Sequence, residues 1–417
     1  MANLVTIHRV LASPGFGSFF FDDQAAIKAG AQREGAAYAG RAQTPGFKAV
    51  REPSASVSVM LVLSDGYIAK GDCASVQYTG VGGREPRFHA DQLAAQIEQQ
   101  LAPHLSGLDV RSFRETAIFT ETLIGECFQS KRAAAYGVSQ ALLDAAAHVA
   151  GHHLMAQVIK DEWRIKRPLE IVPIYGQCGD ERYTNVDKMI LKKVPVLPHG
   201  LINTPDLVGA NGDTLEEYVK WVRARVAQLR TSVDYDPVIH IDVYGLIGAS
   251  TGGSIEATAD IIERLERAAD PHRLRIEHPL DAGSRDAQIE ALGTLRRTLK
   301  GRGSKVAIIA DEWANTADDV HLFAEAKAVD MVQIKTPDLG SLHNTIDAIL
   351  DCHRHGIGPV LGGTCAETDL SARTTANIGT ATGVTQMLAK PGMGFDEGFS
   401  IVFNEMNRVV HLAKALR

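Results

Sequence analysis

From about residue 161 onward, short continuous apolar runs alternate with longer stretches whose apolar residues recur at helical spacing. The runs are IVPIYGQ at 171, VPVLPHG at 194, VIHIDVYG at 238, LRIEHPL at 274, KVAIIADEW at 305, MVQIKTP at 331, GPVLGGTC at 358 and LAKPGMG at 388. Between them lie segments such as DTLEEYVKWVRARVAQL, where Leu215, Val219, Val222, Val226 and Leu229 share one face and Thr214 with Glu217 predicts a capping box. Eight such alternations predict a (β/α)8 barrel, because strands buried on both faces read as short unbroken apolar runs. A doubly wound open sheet is the alternative. Its usual nucleotide signatures, GxGxxG after a strand and a Walker A sequence, are missing.

The first part has a different texture. A strand at LVTIHRVLA is followed by the runs VSVMLVL and YIAKGDC around Ser64-Asp65-Gly66, and Asp-Gly between such runs predicts a hairpin. Helical patterns follow at Ala90 to Leu101, Ser112 to Leu123 and KRAAAYGVSQALLDAAAHVAG. A chain of 417 residues exceeds the size at which one core stops growing. The reading is therefore α/β with two units: an α+β capping unit over residues 1–160 and the barrel over residues 161–417.

Composition adds exclusions. With 45% hydrophobic and 22% charged residues the chain is an ordinary globular protein. A net charge of -7 without basic blocks argues against nucleic acid and for a small-molecule partner. The cysteines (Cys73, Cys127, Cys178, Cys352, Cys365) show no CxxC spacing, which argues against disulfides and a cysteine-rich zinc site. The start, MANLVTIHRVLASPGFG, lacks signal-peptide character, and the longest apolar stretch, Val57 to Leu63, is too short to span a bilayer, so a cytoplasmic protein is expected.

Polar residues stand where barrel strands end, the edge at which barrel enzymes build their sites. Gln177 ends the first strand, His199 the second, Asp242 the third, Glu277 the fourth, Asp311 the fifth, Gln333 and Lys335 the sixth, and Thr364 and Cys365 the seventh. The three carboxylates are 35 and 34 residues apart, one strand-helix unit each, and should converge. Converging carboxylates repel unless a cation lies among them, and oxygen-only ligation suits Mg2+ better than zinc. Strands two and six are opposite in a ring of eight, so His199 and Lys335 should face each other, with Lys335 lowered toward neutrality by burial and the metal. The set points to proton abstraction beside a carboxylate, for which a Lys or His base with Mg2+ is the enolase-superfamily pattern.

With the motifs GDCASVQYTGVGGREP, LPHGLINTPDLVGANG, HIDVYG, RIEHPL, ADEWANT, MVQIKTPDLG, GGTCAET and LAKPGMGFDEG, the chain resembles the methylaspartate ammonia-lyase family over essentially its whole length. The resemblance implies Asp242, Glu277 and Asp311 as magnesium ligands, Lys335 as base for the (S)-configured C3 proton and His199 as the opposite acid/base. It also implies Gln77, Gln177, Gln333, Thr364 and Cys365 around the substrate, reversible formation of mesaconate and ammonia from L-threo-3-methylaspartate, potassium as activator and a homodimer. His199 stands where cycloisomerase and racemase relatives have a K-x-K pair, and the third strand reads Asp-Val-Tyr, not Asp-x-Asn.

Blander readings compete for each residue. A lone strand-end carboxylate is more often a cap or solvated turn, His199 alone a turn histidine, and Lys335 alone a surface lysine or a Schiff-base lysine. Their coincidence in register favours the site. His152 and His153, ending an alanine-rich helix, read as structural. TGVGGRE could cradle phosphate but lacks a strand-to-helix setting, so it reads as a lid bringing Gln77 to the substrate. Cys365 has no activating neighbour in its motif and reads as a substrate contact.

Overall fold

The computed structural model describes residues 4–416 apart from His152, so the structural reading of that histidine lies outside the described residues. The first part contains β1 (Ile7–Asp22), β2 (Gln32–Glu34), β3 (Ala37–Ala39), β4 (Arg51–Leu63) and β5 (Ile68–Cys73), then helices that include Phe113–Cys127, Lys131–Val149 and Met155–Glu162. β1, β4 and β5 form one antiparallel sheet, and β2 and β3 a small separate hairpin. That hairpin is too short and too polar to show an apolar alternation.

The Asp-Gly hairpin forms as the pattern predicts. Val62 pairs with Ile68, Gly66 takes a φ of +93° that favours glycine, and the Asp65 carboxylate accepts the Tyr67 amide at 3.0 Å. Alternation along β4 buries Val57, Val59, Leu61 and Leu63. The helix Lys131–Val149 lies against β4 and β5, and small residues set its distance. A Cβ at Gly137 would overlap the Cys73 amide, and one at Gly71 the Gly137 carbonyl. The first helical pattern is α-helical only over Ala90–Gln96 and continues as a π turn through Ile97–Leu101.

The second part closes into a barrel of eight parallel strands, which excludes the open sheet. They are β6 (Ile174–Gly179), β7 (Val196–Gly200), β8 (Val238–Asp242), β9 (Leu274–Glu277), β10 (Ala307–Ala310), β11 (Met331–Ile334), β12 (Gly358–Leu361) and β13 (Gln386–Leu388). Each strand pairs with the next, and β13 closes on β6 through Met387 and Ile174. All eight arise from the apolar runs in chain order.

One local expectation is corrected. The helix Asp213–Leu229 buries Leu215, Val219, Val222 and Val226, but it starts at Asp213 behind Gly212 at φ +76° and has no side-chain cap. Thr214 is already inside the first turn, and Glu217 pairs with Lys220 at 2.8 Å. Among the described residues no helix is long and apolar enough to cross a membrane.

Candidate active site

The strand ends bring the expected residues to one mouth of the barrel. Asp242 and Glu277 are the last residues of β8 and β9 and pair in register, as Gln177 and His199 do across β6 and β7. Asp311 and Lys335 directly follow β10 and β11. A cavity at this mouth is lined by Gln77, Gln177, His199, Asp242, Gln333, Lys335, Thr364 and Cys365, together with Tyr78, Arg84, Tyr244, Leu388 and Met393. Three non-glycine residues with positive φ, Tyr244, His278 and Trp313, stand one or two positions after the three carboxylates. The chain thus turns sharply at each of these strand ends, as residues held in unusual conformations at functional sites often do.

The carboxylates divide unevenly. His199, Asp242 and Glu277 each offer a ligand atom within 4.8 Å of the others, with His199 Nε2 3.5 Å from Asp242 Oδ2. Asp311 instead takes Lys335 Nζ at 2.6 Å on Oδ1 and 2.7 Å on Oδ2. Gln333 donates to Glu277 at 3.0 Å. Gln77, delivered from the chain after β5, accepts from Cys365 Sγ at 3.3 Å on its side-chain oxygen, and its backbone N–H donates to Thr364 Oγ1 at 3.1 Å.

Burial, then the charge of Glu277, pushes the Asp242 carboxyl up, and burial with Glu312 pushes Asp311 up further. Glu277 moves the other way: burial raises it, but His240, His199 and Lys335 outweigh burial and lower it. Crowded carboxylates that resist ionising are what a divalent cation relieves. Gln177 Oε1 and Gln333 Oε1 are buried and have no hydrogen-bond donor among the described residues. This oxygen-rich donor set fits Mg2+.

Lys335 departs from the expected direction. Burial lowers it, but Asp311, Glu312 and Asp338 outweigh burial and hold it above the ordinary lysine range. Three carboxylates close to one ammonium explain the sign.

Several site residues escaped the sequence reading. Arg84, from the loop read as a lid, is buried with Nε 2.7 Å from Asp338 Oδ2, Nη1 3.6 Å from Glu312 and Nη2 3.9 Å from Asp311. The same loop is held by Asn315, which donates to the Gly82 carbonyl at 2.6 Å. Glu312 lies well below the usual carboxylate range: burial raises it, but His278, Lys335 and Arg84 outweigh that. His240 sits one strand repeat below Asp242, with Nε2 2.8 Å from Glu277 and Nδ1 2.8 Å from the Gln386 amide. Gln386 donating to Nδ1 leaves Nε2–H for Glu277 and so fixes the tautomer. Strand parity was the available signal for His240, since residues two apart share a face.

The family models of the methylaspartate ammonia-lyase N-terminus and C-terminus match residues 5–164 and 167–415. The methylaspartate ammonia-lyase of Clostridium tetanomorphum is 50% identical over 404 residues, covering 97% of this chain and 98% of its own. A solved structure of β-methylaspartase from that organism, as its Mg complex, superposes with a TM-score of 0.91 at 49% identity over 99% of this chain and 100% of the other. The methylaspartate ammonia-lyase of Citrobacter amalonaticus containing (2S,3S)-3-methylaspartic acid reaches 0.95 at 47% identity over 98% and 100%. Muconate lactonizing enzyme from Pseudomonas fluorescens, 15% identical with a TM-score of 0.60 over 96% and 89%, shares the fold alone. Two family models that together cover nearly the whole chain, a relative at half identity and a barrel mouth of this composition lead to one conclusion: the chain belongs to the methylaspartate ammonia-lyase family and is a carbon–nitrogen lyase.

Proposed function

We propose that this enzyme catalyses the reversible conversion of L-threo-3-methylaspartate to mesaconate and ammonia, with Lys335 as the base. The observation that carries the reading is the opposition of Lys335, directly after the sixth of eight barrel strands, and His199, on the second, across the mouth that Asp242 also lines. The substrate lies between them, held by Gln77, Gln177, Gln333, Thr364 and Cys365. Lys335 Nζ takes the C3 proton, the C3–H electrons form the C2–C3 double bond, and the C2–N bond breaks to release ammonia. Asp311, 2.6 Å away, balances the protonated lysine. His199 serves the opposite face of C3 as acid or base.

Asp242, Glu277 and Asp311 would hold magnesium, which would supply positive charge beside the substrate carboxylate and weaken the carboxylates' hold on the Lys335 proton. The family resemblance extends the reading to activation by potassium, a homodimer and a cytosolic setting. Residues 1–160 then cap the barrel of residues 161–417, closing Gln77 and the Arg84 loop over its mouth.

The test is ultraviolet absorbance of the purified protein with L-threo-3-methylaspartate, with and without Mg2+, alongside an ammonia assay. Magnesium-dependent appearance of the conjugated acid and ammonia together is expected. Absence of both products from folded, metal-loaded protein refutes the assignment.

A further inference from the structure

Beside the site the barrel encloses a second lysine that the proposed reaction does not use. Lys390 follows β13 and is completely buried. Its Nζ donates to Glu367 Oε1 at 2.8 Å and to Thr336 Oγ1 at 3.1 Å. The Glu367 carboxylate also accepts the Thr364 amide at 3.0 Å on Oε1, and on Oε2 the Tyr136 hydroxyl at 2.7 Å and the Ser371 hydroxyl at 2.9 Å. Glycine makes this possible: a Cβ at Gly363, where φ is +133°, would overlap both Lys390 Nζ and Glu367 Oε1.

Removing two ions from water is costly, and well-packed apolar residues of similar volume usually stabilise a fold as well. The pair's partners give it a better account. Thr364 adjoins Cys365 at the mouth, Thr336 adjoins Lys335, and Tyr136 belongs to the helix Lys131–Val149, so one carboxylate joins three segments. Neither Lys390 nor Glu367 lines the cavity.

We infer that Lys390 and Glu367 are positioning residues that set the Thr364–Cys365 turn against the Lys335 end of β11 and tie both to the helix Lys131–Val149. The inference deepens the lyase reading and rests on it for what the positioned segments do.

The variants K390M, E367Q and E367Q/K390M decide between positioning and mere packing. Each single variant leaves one buried charge unpaired and is expected to unfold at lower temperature, whereas the double variant recovers the wild-type midpoint. If the pair positions the site, kcat of the folded double variant stays at least about tenfold down at a wild-type midpoint, because base and substrate are misaligned, and KM rises as the Thr364–Cys365 contacts loosen. Amide hydrogen exchange across residues 335–340 and 362–368 rises as well. Wild-type kcat or wild-type exchange in the folded double variant overturns the inference.

T336V guards against a double variant that does not fold, since it removes one hydroxyl and keeps the charges paired. It should lower kcat and raise exchange at 335–340, and wild-type values of either overturn the inference. A wild-type enzyme inactive on 3-methylaspartate refutes the lyase reading instead, and the exchange measurement then decides the positioning claim alone.

Discussion

Asp242 and Glu277 end neighbouring strands in register, so neither can leave the other's field without breaking the β8–β9 ladder. The sequence announced this convergence through a spacing of one strand-helix unit. Asp242→Ala is expected to raise the magnesium concentration for half-maximal activity by at least about tenfold, in line with the loss of one coordinating group; a magnesium titration of initial rate checks it. Lys335→Ala should lower turnover of the threo substrate by roughly 10²–10⁴-fold, the usual contribution of a positioned base, while calorimetry still finds magnesium binding. Glu312 was not legible because it directly follows Asp311, and strand alternation would turn it away from the mouth. The sharp turn at Trp313, with φ +71°, is not written in any hydrophobic period.

At the scale of elements, apolar period and turn chemistry were sufficient for the barrel strands and the Asp-Gly hairpin, both of which depend on local sequence. The helix Asp213–Leu229 shows the limit: its buried face was legible from spacing, but its start depends on Gly212 taking a left-handed conformation. Close packing of the helix Lys131–Val149 on β5 yields a further expectation. Gly137→Ala should destabilise the fold by about 1–3 kcal/mol despite alanine's better helix propensity, because the added methyl meets the Cys73 backbone. Urea unfolding followed by circular dichroism measures it.

Asp330 links further elements, accepting the Ile308 amide at 3.0 Å, Arg296 Nε at 2.8 Å and Lys300 Nζ at 2.9 Å. Burial raises its carboxyl, but these three donors outweigh burial and hold it below the usual carboxylate range. A depressed native value stabilises the fold above the unfolded value, near pH 4, and loses that contribution as pH falls through the native value. Asp330→Asn should therefore be less stable than wild type at pH 7, the gap closing below about pH 4. Denaturant midpoints across pH would show a constant gap if the carboxylate contributed nothing.

In the whole molecule, the site is completed by a side chain from the other end of the chain. Arg84 reaches Asp338 across 254 residues of sequence and carries the loop 79–85 onto the barrel mouth. Arg84→Met leaves Asp338 and Glu312 buried without their guanidinium, so subtilisin should nick that loop faster and kcat should fall, the cost of an unpaired buried charge being about 3–5 kcal/mol. Wild-type nicking would show that Arg84 does not hold the loop. By itself the sequence determined the eight strands, their order and the residues at their ends, because strand period and unit length are local properties of the chain. Only the tertiary structure decided that Asp311 turns to Lys335, that Arg84 enters the mouth, and that Lys335 is held above its ordinary range. Those outcomes depend on charges from distant segments meeting in a buried space where water does not screen them.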